Sequence, residues 1–237
     1  MEHVPDPALR PVALASVTLG VAIGVFGVVF GVGAVSAGGS IAQACVMSLL
    51  VFTGASQFTA VGVIASGGSM ASALGGGMLL AARNAVYGLT LSQIVGGSLL
   101  TRLAAAHMTI DETTAMATSQ AGLRAQRTAF WITGATIFVC WNVGTLVGAL
   151  AGSAIDPLTF GLDAAFPAGF VAMVAPQLRH RRALLTAVVG AAISLVLIPF
   201  SPPGVPILGA SAAILLGVPR PDADDDPADL PGTAGVP

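Results

Sequence analysis

Charge is what this sequence has least of. Only 8% of its 237 residues are charged, against 55% hydrophobic residues and 30 glycines. That balance excludes an ordinary soluble domain, in which about a quarter of residues carry charge. Lysine is absent, so every basic side chain is arginine. The two cysteines, Cys45 and Cys140, both fall in apolar stretches. This excludes the disulfide framework of a small secreted domain and leaves them as small apolar residues. There is no HExxH zinc motif and no P-loop, so direct ATP coupling within the chain is excluded. A net charge of −2 with no basic aromatic surface excludes a nucleic-acid partner. The start, Met-Glu-His-Val-Pro-Asp-Pro, lacks the basic region of a cleavable signal peptide, and none is expected.

What is present is apolar length. Stretches at about 11–35, 41–65, 70–99, 128–151, 160–178, 182–200 and 204–218 stand out, most of them near the roughly 20 residues that span a bilayer core. The last is short for that core. The expected fold is an all-α polytopic membrane protein of about seven transmembrane helices over 1–218. Its halves, 11–99 and 128–218, are joined by a loop at 100–127. An acidic tail, 219–237, with Asp222, Asp224, Asp225, Asp226 and Asp229 among prolines, is too polar to offset its ordering entropy and is expected to be disordered. With seven spans, Arg102, Arg124 and Arg127, then Arg179, Arg181 and Arg182, then Arg220 share one side, and Arg10 stands opposite. The positive-inside rule then places the N-terminus outside and the C-terminus in the cytoplasm.

Within the second stretch, Val51-Phe52-Thr53-Gly54-Ala55-Ser56-Gln57-Phe58 interrupts apolar sequence near mid-membrane depth. Polar groups and loosened helix are tolerated there only around protein or a water-filled cavity, and transporters put binding sites at such breaks. Small residues at this place also serve close helix packing. The buried Gln57 favours a site. The fifth stretch carries its own interruption, Leu162-Asp163-Ala164-Ala165-Phe166-Pro167-Ala168-Gly169, where Pro167 removes a helical hydrogen bond. The Phe52/Phe58 spacing recurs as Phe160/Phe166. Three spans per half is odd, so a duplication gives an inverted repeat whose interrupted helices meet near mid-membrane.

Arg83 and Asn84 lie in the middle of the third span. An arginine at a helix centre costs about 2.5–3.5 kcal/mol on insertion scales, so it needs an inward-facing partner. The candidates are Asp163, carbonyls freed at the breaks, or a substrate carboxylate held in bidentate fashion. Tyr87, the only tyrosine, shares the face of Arg83 at i+4 spacing. In the central loop, Thr109 is a plausible N-cap with Asp111 and Glu112 in the first turn of a short interfacial helix. His3, His107 and His180 fall in expected tails and loops, so no Ser/His or Cys/His dyad is expected at depth. Trp131 and Trp141 read as packing or interfacial residues. The glycine runs Gly75-Gly76-Gly77 and Gly96-Gly97 allow close approach of partner helices or internal ones.

The runs Phe52-Thr53-Gly54-Ala55-Ser56-Gln57-Phe58, Ala82-Arg83-Asn84-Ala85-Val86-Tyr87-Gly88-Leu89, Asp111-Glu112 and Gly161-Leu162-Asp163-Ala164-Ala165-Phe166-Pro167-Ala168 occur in this order. In them the chain resembles the AzlC family, the large subunits of bacterial branched-chain amino acid exporters. Family members often carry histidine after the arginine, where this chain has Asn84, which hydrogen-bonds but does not titrate near neutral pH. The resemblance implies export of branched-chain or related apolar amino acids across the bacterial inner membrane. It implies a small hydrophobic AzlD-type subunit as partner and no cofactor, metal or enzymatic activity. The substrate site it implies comprises Thr53, Gly54, Ser56, Gln57, Phe58, Arg83, Asn84, Tyr87, Asp163, Phe166 and Pro167. Arg83 or helix N-terminal amides would take the carboxylate, and Gln57, Ser56, carbonyls or Asp163 the ammonium. Phe26, Phe30, Phe58 and Phe166 would wall the side chain. A passive channel, or a structural subunit of a membrane complex, is the alternative from another class.

Overall fold

The computed structural model describes residues 10–154, 168, 171, 174, 175, 178 and 181–217. Every described element is helical. Lipid offers backbone N–H and C=O groups no partner, and a helix satisfies them within itself. The chain is an all-α membrane protein. Three described helices are long and apolar enough to cross a bilayer: Arg10–Ser36, Leu123–Ala154 and Arg181–Phe200. Contacts divide the chain into two compact units, Met1–Met173 and Val174–Pro237.

The first unit contains α1 (Arg10–Ser36), α2 (Ile41–Leu50), α3 (Gly54–Ala65), α4 (Met70–Ser92), α5 (Leu99–His107), α6 (Asp111–Thr118) and α7 (Leu123–Ala154). Its frame is α1 against α7. Ser16 Oγ lies 2.8 Å from Thr133 Oγ1. A Cβ built on Gly24 would meet Cys140 O at 3.0 Å, one on Gly27 Trp141 O at 2.6 Å, and one on Gly152 Val32 Cα at 3.1 Å. Partner numbers rise together, so the two helices run parallel. Glycines at 20, 24, 27 and 31 meet α7 at Thr136, Cys140, Trp141 and Thr145, glycines at 144, 148 and 152 meet α1 at Gly24, Val28 and Val32, and their missing side chains let the backbones touch. Leu14, Val17, Val21 and Val25 on α1, and Val139, Val143 and Val147 on α7, form exposed stripes suited to lipid.

The stretch 41–65 does not continue as one span. A capping box between Ser40 and Gln43 starts α2. Ser48 Oγ then lies 3.0 Å from Thr145 Oγ1, and the Phe52 ring lies 5.1 Å from that of Phe138, so α2 runs antiparallel to α7. The helix ends at Leu50, and Thr53 N–H donates to Val51 O at 2.6 Å in a tight turn. Gln57 Nε2 reaches back to donate to Met47 O at 3.1 Å, a bond that ten residues of straight helix, about 15 Å, would forbid. α3 then lies antiparallel to α4: a Cβ on Gly77 would meet Ser56 O at 3.4 Å and Ala60 Cβ at 3.9 Å. α4 descends to Leu91, which clusters with Phe130 near the start of α7. Thus α2 and α3, of 10 and 12 residues, form a re-entrant V, each arm about half a ~30 Å core.

The expected loop 100–127 holds two helices rather than one. Ser98 caps α5, accepting from Thr101 N–H at 3.3 Å. Ala105 clusters with Phe130, and His107 lies 5.8 Å from the Phe138 ring, so α5 rises alongside α7. The chain reverses at Met108–Ile110. α6 then returns, with Thr113 beside Gly134 and Ala117 beside Phe130. The N-cap is Ile110, not Thr109. Ile110 N–H donates to Thr113 Oγ1 at 3.0 Å, whereas the Thr109 hydroxyl donates back to Ala105 O at 2.8 Å and closes the end of α5.

This geometry corrects the placement of Arg10. With α1 parallel to α7, Arg10 opens α1 at the end where Arg124 and Arg127 open α7 and Arg102 opens α5. The sequence expectation put it opposite because it counted 41–65 as a crossing. Arg127 Nε donates to Ile94 O at 2.6 Å and ties α4 to that end. The glycine runs are internal: Gly77 faces Ser56, Gly96 faces Arg127, and Gly97, with φ 122°, turns the chain into α5.

In the second unit, α8 (Arg181–Leu197) passes into a 3₁₀ turn, Ile198–Phe200, at Pro199. Gly204, at φ 96°, turns the chain into α9 (Val205–Ala210), followed by α10 (Ile214–Gly217). The Ser194 hydroxyl donates to Pro206 O at 3.1 Å and joins α8 to α9. Asp163, Phe166 and Pro167 lie outside the described residues, as does the second interruption as a whole.

Candidate functional site

The α2–α3 turn carries an unusual set of buried polar atoms. Thr53, Ser56 and Gln57 are 8%, 3% and 0% exposed. Thr53 Oγ1, Ser56 Oγ and Gln57 Oε1 have no hydrogen-bond partner among the described residues. An unsatisfied buried polar group costs about 1–3 kcal/mol, so three together, at one helix start, mark a place built to receive polar atoms. Thr53 is the N-cap of α3 but makes no capping bond. The first amides of α3 therefore take no bond from the Thr53 side chain, and the positive end of the helix dipole lies there.

Three aromatic rings pack on one another beside this turn. Phe30 lies 5.9 Å from Phe58 and 6.0 Å from Trp141, and Phe58 lies 6.1 Å from Trp141. Gly54 admits the indole edge: a Cβ there would meet it at 3.0 Å. Trp141 Nε1 is itself buried without a partner among the described residues.

Arg83, Asn84 and Tyr87 lie further along α4. From Gly77, which touches Ser56, six residues of helix carry the chain about 9 Å to Arg83. There Arg83 Nη2 pairs with Asp111 Oδ1 at 3.3 Å. The candidate partner Asp163 is undescribed, and Asp111, read as a first-turn residue of an interfacial helix, holds the arginine. Arg83 Nε and Asn84 Oδ1 remain buried without partners, and Tyr87 is half-buried one turn on. Glu112, next in the chain, is half-buried beside Asp111.

Sequence reasoning missed Asp111 as the ion-pair partner, and it missed the contact of His107 and Phe138 with Phe52. His107 is the last residue of α5 rather than a loop residue, and its ring lies 6.0 Å from Phe52. Asn142 carried a readable signal. It is the only amide side chain in its apolar stretch, and its Oδ1, like that of Asn84, is a buried orphan. A separate cleft between α4 and α5, lined by Leu91, Val95, Arg102 and Thr109 among others, includes none of the orphaned groups.

A family model described as AzlC protein matches residues 18–155, which is more than half of the sequence and runs from α1 to the end of α7. The chain belongs to the AzlC family. AzlC membership makes it a membrane transport protein. The AzlC match contains the whole α2–α3 niche, Arg83 and Asp111, and it ends before Asp163, Phe166 and Pro167. No curated protein and no solved structure matches this AzlC chain.

Proposed function

We propose that this AzlC protein exports branched-chain or related apolar amino acids as the large subunit of a two-component permease. The observation that carries the reading is the cluster of three buried side chains, Thr53, Ser56 and Gln57, each with an oxygen that has no partner among the described residues, next to Gly54 and the Trp141 ring. The amides at the start of α3, with Thr53 and Ser56, receive the carboxylate. Gln57 Oε1 accepts from the ammonium, Gly54 leaves room, and Phe58 walls the aliphatic chain. Arg83, engaged with Asp111, sits beside the substrate with Asn84 and Tyr87. Asp163, Phe166 and Pro167 complete the proposed site from the fifth stretch. The partner is a small AzlD-type membrane subunit.

The test is saturable uptake of labelled leucine into everted vesicles holding this chain with an AzlD-type subunit. Gln57→Leu should lower the rate at least tenfold at equal protein level, and the large subunit alone should give little flux. Flux that rises linearly with leucine and ignores Gln57→Leu would identify a passive channel instead.

The arginines also support an orientation in the inner membrane. Arg10, Arg102, Arg124 and Arg127 share one end of the first unit, and the positive-inside rule makes that end cytoplasmic. This revises the expected N-terminus from outside to inside. Counted onward by the apolar stretches of the sequence, Arg179, Arg181, Arg182 and Arg220 join the same side, and the C-terminus stays cytoplasmic. A reporter active only in the cytoplasm should work when fused ahead of Arg10. One active only outside should work when inserted after Ser66 at the α3–α4 turn. The reverse pattern would reject this orientation.

A further inference from the structure

The α2–α3 hairpin has a counterpart. α1, α2 and α3 give a long helix followed by two short ones, and so do α4, α5 and α6. In each unit a serine caps the first short helix, Ser40 before α2 and Ser98 before α5. In each, three residues make the reversal, Val51–Thr53 and Met108–Ile110. α1 and α4 run in opposite directions, α1 parallel to α7 and α4 antiparallel to it, and the hairpins enter from opposite ends. Their tips meet: Phe52 lies 6.0 Å from His107, and both rings rest on Phe138, at 5.1 and 5.8 Å. Ile110, from the second tip, shares a buried cluster with Phe52 and Phe58. This repeat within 10–118 differs from the one the sequence suggested between 11–99 and 128–218, whose second interruption lies outside the described residues.

We infer that residues 10–65 and 70–118 are inverted structural repeats, and that the α5–α6 hairpin is the second half of the transport site, with Phe52 against His107 as the closure between two routes of access. This deepens the proposed transport reading and rests on it. The two halves divide the chemistry. Both α3 and α6 begin at the tips, so both positive helix ends face the centre. α6 carries Asp111 and Glu112 in its first turn, whereas α3 carries no acidic residue there. The second half therefore answers its own dipole and binds Arg83, and the first half is left to take the substrate's carboxylate. Substrate leaves toward one face or the other as one hairpin or its inverted partner moves from the shared contact, the behaviour inverted repeats support in other transporters.

Two measurements test this on the full chain in membranes, with Cys45 and Cys140 replaced by alanine. First, the Phe52→Cys, His107→Cys pair is treated with a short thiol-cleavable bis-methanethiosulfonate. A cross-link should form, and leucine flux should fall at least tenfold and return on reduction. Absence of a cross-link, or a cross-linked protein with unchanged flux, would overturn the closure. Second, single cysteines at Ser66 and Ser119, the exposed ends of α3 and α6, are probed with a membrane-impermeant thiol reagent. They should label from opposite faces, and labelling from the same face would overturn the inverted repeat. The labelling result does not depend on flux. A parent protein that carries no leucine, but whose two cysteines label from opposite faces, would sink the substrate reading and leave the repeat standing.

Discussion

Gly148→Leu in α7 should all but eliminate folded protein. A Cβ at this position collides with Val28 O and would lie 2.8 Å from Val28 C and 2.9 Å from its Cα. These are backbone atoms, so no rotamer change relieves the clash and α1 must move away. In lipid the separated helices gain nothing from a hydrophobic effect to hold them, since lipid tails are as apolar as leucine. The loss spreads to neighbouring contacts, including the Ser16–Thr133 pair and the Trp141 ring that floors the niche. The expected result is at least a tenfold fall in the monodisperse peak on size-exclusion chromatography in mild detergent. Gly148→Ala should fall between. Val147→Leu, on the lipid-facing side of the same turn, should behave as wild type. A Gly148→Leu protein with wild-type yield and thermal midpoint would show that α1 and α7 do not touch there.

The second large effect concerns Arg83. Arg83→Gln should reduce transport more than tenfold, and more severely than Asp111→Asn. Removing the arginine leaves Asp111 and Glu112 adjacent with no cation, whereas removing Asp111 leaves Glu112 close to the guanidinium. If the pair's role is structural, Arg83→Gln combined with Asp111→Asn should recover much of what either change loses, and a double-mutant cycle at matched protein levels measures this coupling. Arg83→Lys separates the two uses of the side chain. One nitrogen–oxygen contact, as observed with Asp111, is within reach of an ammonium, so lysine should keep most activity. A bidentate grip on a substrate carboxylate requires the planar fork, and lysine would then fail. Loss of activity in Arg83→Lys, with no rescue in the double neutral variant, would reject the ion-pair role.

Much of the niche was legible in the sequence, because Thr53, Ser56 and Gln57 are polar where lipid forbids unpaired polarity. Arg83 was likewise legible as a residue in need of a partner. The identity of that partner was not. Asp111 becomes available only because the chain reverses at Met108-Thr109-Ile110, a turn with neither glycine nor proline to announce it. The path of 41–65 was hidden for a related reason. Two half-length apolar helices joined by three residues have the same hydropathy as one full crossing, and the error displaced Arg10 to the wrong end. Glycine spacing in 11–35 and 128–151 showed that helices approach closely, but it does not encode whether two helices run parallel or antiparallel. Trp141 was legible as a packing residue, but only the fold brings its ring to Gly54 at the start of α3.

The parallel pairing of α1 with α7 also dictates an order of events during synthesis. Ser16 and its partner Thr133 are 117 residues apart, a distance a ribosome translating 5–20 residues per second covers in roughly 6 to 23 seconds. Throughout that interval α1 sits in the membrane with its glycine groove unfilled. Both short-helix hairpins are then made before the helix they lean on exists. Half-length helices ending inside hydrocarbon leave terminal amides and carbonyls without partners, so neither hairpin has a stable home until α7 arrives. Assembly of the first unit is therefore post-insertional and late, and truncation anywhere before about residue 150 should leave a chain that quality-control proteases recognise as unfinished.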